Sequence, residues 1–295
     1  MARGGFRSLT DGQLKLLFIA PTILLLLFVV VYPLVRSLYW SFTDYSIAMP
    51  DVPPALVGVQ NYADVLSDED MWQRFRTTAL VVVLSVGIQM VLGFGIALLL
   101  NRQMRARGLV TTLLLMPMML CPAVVGLFWR YMFDANAGIV NAGLVALGLG
   151  RVEWLSRDAS ALASTIIVDV WMWTPFVMII SLAGLAAIPR YLYEAAEVDR
   201  ASAWFKFRHI TLPLVAPFLV VALLFRTVDT VKLFDMVWVL TKQGEPLLVS
   251  AAIYKRAFPQ MDTGSASAVA YIVLVVVVAV SNIFIRYLNR VQLRT

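Results

Sequence analysis

Long apolar stretches alternate with short polar intervals along the whole chain. Six of them, at about 14–37, 77–101, 109–132, 161–188, 214–241 and 266–288, are each long enough to cross a bilayer, since a hydrocarbon core of about 30 Å needs roughly 20 helical residues. In lipid only a helix or a closed barrel satisfies every backbone N–H and C=O, and long apolar runs select the helix. The expected fold is all-α: a polytopic membrane protein of six transmembrane helices in one transmembrane domain, residues 1–295. An even number of spans puts both termini on one side. Met1 to Lys15 is basic and precedes an apolar run that is too long for a signal h-region and lacks a small-residue cleavage site. A retained first helix is expected.

Proline interrupts several spans, notably Pro117 and Pro122 in the third and Pro175 in the fourth. Each frees a carbonyl and bends the helix, which suits a lined cavity. Between spans, about 38–76 is rich in turn residues (Pro50, Pro53, Pro54, Gly58) and about 133–160 carries Gly138, Gly148 and Gly150. None of these loops is large enough for a separate domain.

Composition agrees with a lipid environment. A chain of 295 residues with 61% hydrophobic content and mean hydropathy +0.82 holds more apolar surface than a soluble domain of this size can bury. The pI of about 9.6 and net charge of +6 do not point to nucleic acid, because the basic residues lie in short groups beside the apolar runs. Those groups are Arg3, Arg7 and Lys15; Arg102, Arg105 and Arg107; Arg190, Arg200, Lys206 and Arg208; and Arg286, Arg290 and Arg294. By the positive-inside rule all four are cytoplasmic, as are both termini. The opposite side carries Asp64, Asp68, Glu69 and Asp70, with Trp40, Trp72 and Trp154 suited to an interface. One cysteine, Cys121, excludes an internal disulfide and a cysteine metal site and reads as a small packing residue. The lone histidine, His209, has no companion ligands and reads as a subunit contact.

The polar interval from Pro189 to Pro213, PRYLYEAAEVDRASAWFKFRHITLP, is too polar to span. It is expected to form a short helix, a turn and an entry into the fifth span. Small alanines at 195 and 196 let another surface approach closely, and Trp204 and Phe207 give its second half an apolar anchor. A projecting helix of this kind fits a partner's groove, although an amphipathic segment lying on the membrane has the same composition.

Three groups in that interval, Glu194-Ala195-Ala196, Asp199-Arg200-Ala201 and Ile210-Thr211-Leu212-Pro213, give the chain a resemblance to the inner-membrane permeases of binding-protein-dependent ABC importers. Further matches run along nearly the whole chain and resemble the carbohydrate branch: Gly58-Val59-Gln60-Asn61-Tyr62, Ala97 to Asn101, Leu182-Ala183-Gly184-Leu185 and Phe207-Arg208-His209. Phe234-Asp235 with Val239-Leu240-Thr241 is similar to the first permease of maltose-type transporters, which implies a heterodimer with a different permease. Two departures stand out: Arg200 replaces the family's usual glycine, and Lys242-Gln243-Gly244-Glu245-Pro246 replaces paired glycines before proline. An arginine at a position needing positive φ costs about 1–2 kcal/mol or forces another turn.

The resemblance implies a bacterial cytoplasmic (inner) membrane complex of two permeases, two nucleotide-binding subunits and an extracytoplasmic solute-binding protein, importing a sugar or sugar-like solute. The 189–213 loop would be its coupling helix, with Glu194, Ala195, Ala196, Asp199, Arg200, Ala201, Phe207, Ile210, Leu212 and Pro213 as the ATPase-coupling residues. The chain has no G-x-x-x-x-G-K-[ST] phosphate loop, so ATP and magnesium are expected on the partner ATPase subunits, with no cofactor and no catalytic residue here. Candidate solute-pathway residues are Asp169, Trp171, Trp173 and Thr174 beside Pro175, where aromatic faces and polar groups suit sugars, and Asp229 and Lys232 in the fifth span. There Arg226, Asp229, Lys232 and Asp235 recur every third residue, so structural pairing is the competing reading. An ion- or proton-coupled secondary transporter is the alternative function, and it needs coupling sites not identifiable here. An intramembrane enzyme lacks any recognisable catalytic group.

Overall fold

The structure is a computed structural model that describes residues 11–102, 106–156, 158–241 and 248–292, with side chains except at 11–16, 158 and 290–292. Arg3, Arg7, Arg105, Arg294, the side chains of Lys15 and Arg290, and the stretch from Lys242 to Pro246 lie outside the described residues. Among the described residues the regular structure is helical, with two isolated backbone bridges, Thr43 with Leu56 and Ser46 with Asp262. The chain gathers into two compact units, Met1–Ser67 with Arg256–Ile272, and Asp68–Lys255 with Val273–Thr295.

In the first unit, α1 (Asp11–Leu26), a π turn (Leu27–Val31) and α2 (Tyr32–Trp40) make one apolar rod. No residue in the most apolar stretch of its span, Leu17–Trp40, is buried within the chain, which leaves its leucines and valines for lipid. Beyond it lies α3 (Gln60–Ser67). The Gly58–Tyr62 group has a structural task here. Asn61 Nδ2 donates to the carbonyls of Ser41 (3.0 Å) and Thr43 (2.9 Å), and the Tyr62 hydroxyl meets that of Ser41 at 2.7 Å. These bonds hold the chain where it leaves the first span.

The second unit begins with α4 (Glu69–Leu100), capped by the Asp68 carboxylate, which accepts from the Asp70 N–H; Glu69 and Asp70 suit the positive end of the helix dipole. Next come α5 (Arg107–Leu115), a 3₁₀ turn (Pro117–Met119), α6 (Pro122–Met132), α7 (Ile139–Ala146) and α8 (Asp158–Ala186). After α8 follow α9 (Arg190–Val198), α10 (Ala203–Lys206), a second π turn (Phe207–Thr211), α11 (Leu212–Val231), α12 (Asp235–Leu240) and α13 (Val249–Ala257). The final helix, α14 (Thr263–Gln292), contributes to both units.

Five helical stretches among the described residues are long and apolar enough to cross a membrane: Leu17–Trp40, Glu69–Leu100, Ala159–Ala186, Ala203–Val231 and Thr263–Asn289. The third expected span, 109–132, is instead divided. Pro117 opens the 3₁₀ turn, Cys121 is extended (ψ 130°) as the residue before a proline favours, and Pro122 starts α6. Cys121 is thereby exposed at the break rather than packed. The fifth span, expected over 214–241, starts at Ala203 and ends at Val231, with the chain turning at Lys232 before α12.

Both π turns stand directly before a proline one residue into the next helix, Pro33 and Pro213. A proline ring clashes with the carbonyl four residues earlier. One wider turn, closed by Tyr32 N–H to Leu27 O and by Leu212 N–H to Phe207 O, carries the helix past that carbonyl without a break. The helix α8 likewise runs unbroken through Pro175. The loop expected over 133–160 contains α7, organised by buried Asn141. Its amide spans the carbonyls of Ala135 (3.1 Å) and Val152 (2.9 Å) and accepts from Trp154 Nε1 (3.0 Å). Trp154, expected as an interfacial anchor, is half-buried against Phe133 with ring centres 5.1 Å apart.

The core of this unit is the α4, α8 and α11 bundle with α6 and α12 against it. One apolar cluster joins Val81, Val125, Phe133, Val168, Met172 and Met236; a second joins Ala97, Leu100, Met178, Leu185, Ile188 and Val215. Close approach is set by glycines at two crossings: a Cβ at Gly93 would press into Val177, and one at Gly126 would collide with the Met236 carbonyl. Gly126→Ala therefore should destabilise the purified protein by about 1–3 kcal/mol, read as a lower thermal midpoint in detergent. Gly95→Ala, with no atom within 4 Å of the added methyl, should leave the midpoint unchanged or raise it.

Candidate functional site

The 189–213 interval folds as its sequence pattern predicts, into α9, a turn, α10 and the entry to α11. Pro189 in extended conformation starts α9. The Ser202 hydroxyl caps α10 by accepting from Phe205 N–H (3.1 Å), and Lys206 Nζ reaches back to Glu197 Oε1 at 3.1 Å. From the inner face of α9, the Tyr193 hydroxyl meets that of Thr211 at 2.9 Å, tying the projecting helix to the π turn. Phe207 packs on Phe94 of α4 and on Trp204, with ring centres 6.1 and 5.6 Å apart, so the loop is braced on the bundle. His209 stacks on Phe205 at 4.3 Å.

Between α9 and the π turn lies a groove of about 490 Å³. It brings together Ala195, Ala196, Asp199, Ala201 and Ile210 of the expected coupling residues, and adds Leu192, Ser202 and Phe205, which the sequence reading did not single out. Glu194 and Arg200 are exposed beside it in sequence, whereas Leu212 and Pro213 open α11 and Phe207 serves as the brace. Arg200 keeps the turn that its identity put in question. Its φ is +53°, its N–H donates to Glu197 O (3.0 Å), and the Ala201 N–H donates to Ala196 O (2.8 Å). These two bonds are the helix-closing pattern that normally takes glycine, and arginine adopts it at a cost of about 1 kcal/mol or more.

Within the spans, the expected pathway residues do not form one polar site. Asp169 and Arg226 are completely buried and paired: Arg226 Nη2 lies 3.0 and 3.2 Å from the two carboxylate oxygens. Gln89 closes the arrangement, donating to Asp169 Oδ2 (2.8 Å) and accepting from Arg226 Nε (2.9 Å), while Thr230 accepts from Nη2 at 2.9 Å. The Trp173 ring covers the guanidinium, with Cζ 4.7 Å from its centre. The Thr174 hydroxyl donates to the Val170 carbonyl (2.6 Å). Trp171 and Thr174 line a separate cavity of about 520 Å³ whose other walls are aliphatic, including Ile88, Leu92 and Leu113, with Pro117 and Pro175. Asp229 and Lys232 are about half exposed and 3.7 Å apart, and Asp229 also lies 4.0 Å from Arg226. Within the buried polar group, Gln89 is a member not singled out from the sequence. Its signal was present: a lone amide within a long apolar run demands a partner in lipid.

A family model described as "Binding-protein-dependent transport system inner membrane component" matches residues 89–293. A probable ABC transporter permease protein of Sinorhizobium fredii is 38% identical over 90% of this chain and 86% of its own. A trehalose/maltose transport system permease protein of Thermococcus litoralis is 34% identical over 94% of both chains. Among solved structures, a chain of a bacterial ABC transporter involved in the import of the acidic polysaccharide alginate shares the fold, with a TM-score of 0.82 at 22% identity over 95% of this chain and 97% of its own.

Breaking the buried pair leaves one charge without its partner, at a cost of about 3–5 kcal/mol. Asp169→Leu or Arg226→Met alone should sharply reduce the yield and thermal midpoint of folded protein in detergent. The double variant should recover most of the loss, since an apolar pair of similar volume carries no uncompensated charge.

Proposed function

Because the chain belongs to the family of binding-protein-dependent transport system inner membrane components, we propose that it forms half of a saccharide pathway and transmits the work of separate ATPase subunits through its 189–213 loop. Membership sets aside the secondary-transporter alternative. The observation that carries the coupling reading is the groove between α9 and the π turn, half of whose lining is alanine or serine, braced on α4 through Phe207. A surface that both receives a partner's side chains and is rigidly joined to the bundle can convert docking into helix movement.

In this reading residues 1–295 act as one transmembrane domain, with both termini and the loop on the cytoplasmic side, as the basic groups favour. Two ATPase subunits hold ATP and magnesium, a second, different permease completes the pathway, and an extracytoplasmic binding protein delivers the solute. The family's description supports the last of these, and the trehalose/maltose relative supports a saccharide. ATP-driven closure of the ATPase pair opens the pathway outward, and hydrolysis returns it inward, because each state makes different contacts with the loop.

Asp229, in the last turn of the fifth span, and Lys232, just past its end, are the residues we assign to the solute pathway: they retain exposed polar atoms, whereas Asp169 and Trp173 are spent on Arg226. Alanine at either should raise the KM of solute uptake in proteoliposomes with the complex still assembled; unchanged uptake removes them from the pathway.

The coupling reading is tested by ATPase activity of the reconstituted complex with loaded binding protein. Glu194→Ala or Ala196→Leu should lower the stimulated rate by about tenfold or more, equivalent to about 1.4 kcal/mol, with assembly intact. Full stimulation in both variants rejects the loop as the coupling element.

A further inference from the structure

Arg200 is held in a conformation that glycine would adopt without steric cost, and its side chain finds no compensation inside the molecule. The residue is exposed, and among the described residues its guanidinium makes no ion pair or side-chain hydrogen bond. Glu197, three residues earlier, is engaged by Lys206. Strained backbone positions persist where something else repays them. Asp199 and Ala201, its two neighbours in sequence, both line the groove, so Arg200 stands at the rim of the surface assigned above to the ATPase subunit.

We infer that Arg200 selects the partner: its guanidinium pairs with a carboxylate on the ATPase subunit that docks in this groove, and the pair distinguishes the chain's own ATPase from others. The inference rests on the docking reading above. Guanidinium presents a planar fork that matches a carboxylate with two parallel hydrogen bonds, which gives orientation as well as attraction. A membrane headgroup is a poorer fit as the source of negative charge. Arg200 stands between Asp199 and Ala201, which both line a groove whose walls combine small residues (Ala195, Ala196, Ala201, Ser202) with Leu192, Phe205 and Ile210, a relief that fits protein side chains rather than a headgroup layer.

The test uses the full permease pair in nanodiscs of zwitterionic lipid, titrated with its own ATPase subunit at several salt concentrations. Arg200→Gly should leave the thermal midpoint equal or higher, yet weaken ATPase-subunit binding by about tenfold or more and flatten its salt dependence. Arg200→Glu should weaken binding further, and a carboxylate-to-arginine exchange on the ATPase subunit should restore it. Native binding with native salt dependence in both variants overturns the inference. A defect that appears only when anionic lipid is present also overturns it, in favour of a headgroup contact. Glu194→Ala in the same assay, read by stimulated ATPase rate, separates the two levels. If it uncouples while the Arg200 variants do not, the docking reading stands and the selection role falls; if none of the variants matters, the docking reading falls as well.

Discussion

Three membrane helices meet at a guanidinium sealed away from water. Arg226 on α11 is bound by Asp169 on α8 and by Gln89 on α4, and each of the three is completely buried. Lipid offers no substitute partner for any of these groups, so the arrangement can form only when the helices are in a single register. Apolar packing alone is far less discriminating in a bilayer, because the tails compete on equal terms with leucine side chains. Along α4, Gln89 lies between Val81 of one apolar cluster and Ala97 of the other. The polar layer thus fixes a registry from which both clusters, and the loop braced on Phe94, take their positions.

Two pairs of prolines have opposite outcomes. Pro33 and Pro213 are preceded by a wide turn that absorbs the steric conflict, and the helix continues. Pro117 and Pro122 stand close together with Cys121 extended between them, and the span is cut in two. The cut sits beside the cavity bounded by α4, α5 and α8, and Pro117 forms part of its wall. At Pro213 the continuity has a mechanical meaning: the π turn joins the projecting loop to α11 as one rod, and α11 carries Arg226 into the polar layer.

Much of this was legible in the sequence because lipid imposes a length on any run that crosses it. The spans ending at Leu100 and Ala186 follow directly from hydropathy, and α9 follows from the Pro189 start and the alanines after Glu194. What hydropathy cannot reveal is pairing at long range. Asp169 beside two tryptophans reads as a sugar site until Gln89, 80 residues earlier, and Arg226, 57 later, are seen to consume its oxygens. The threefold spacing of Arg226, Asp229 and Lys232 pointed to pairing along one helix, and Asp229 does lie 4.0 Å from Arg226 and 3.7 Å from Lys232, but the shorter contacts of Arg226 run across to Asp169 on another helix. Asn141 was equally silent, because three of its four bonds go to backbone groups of Ala135 and Val152, which carry no sequence signature.

Cys121 acquires a different significance from its position at the extended break. It is the single sulfhydryl in 295 residues, it is exposed, and it sits at the joint between two helical segments rather than within either. The chain therefore carries a native attachment point for a spin label or fluorophore at the joint of the divided span, where no second thiol of the chain competes for the reagent.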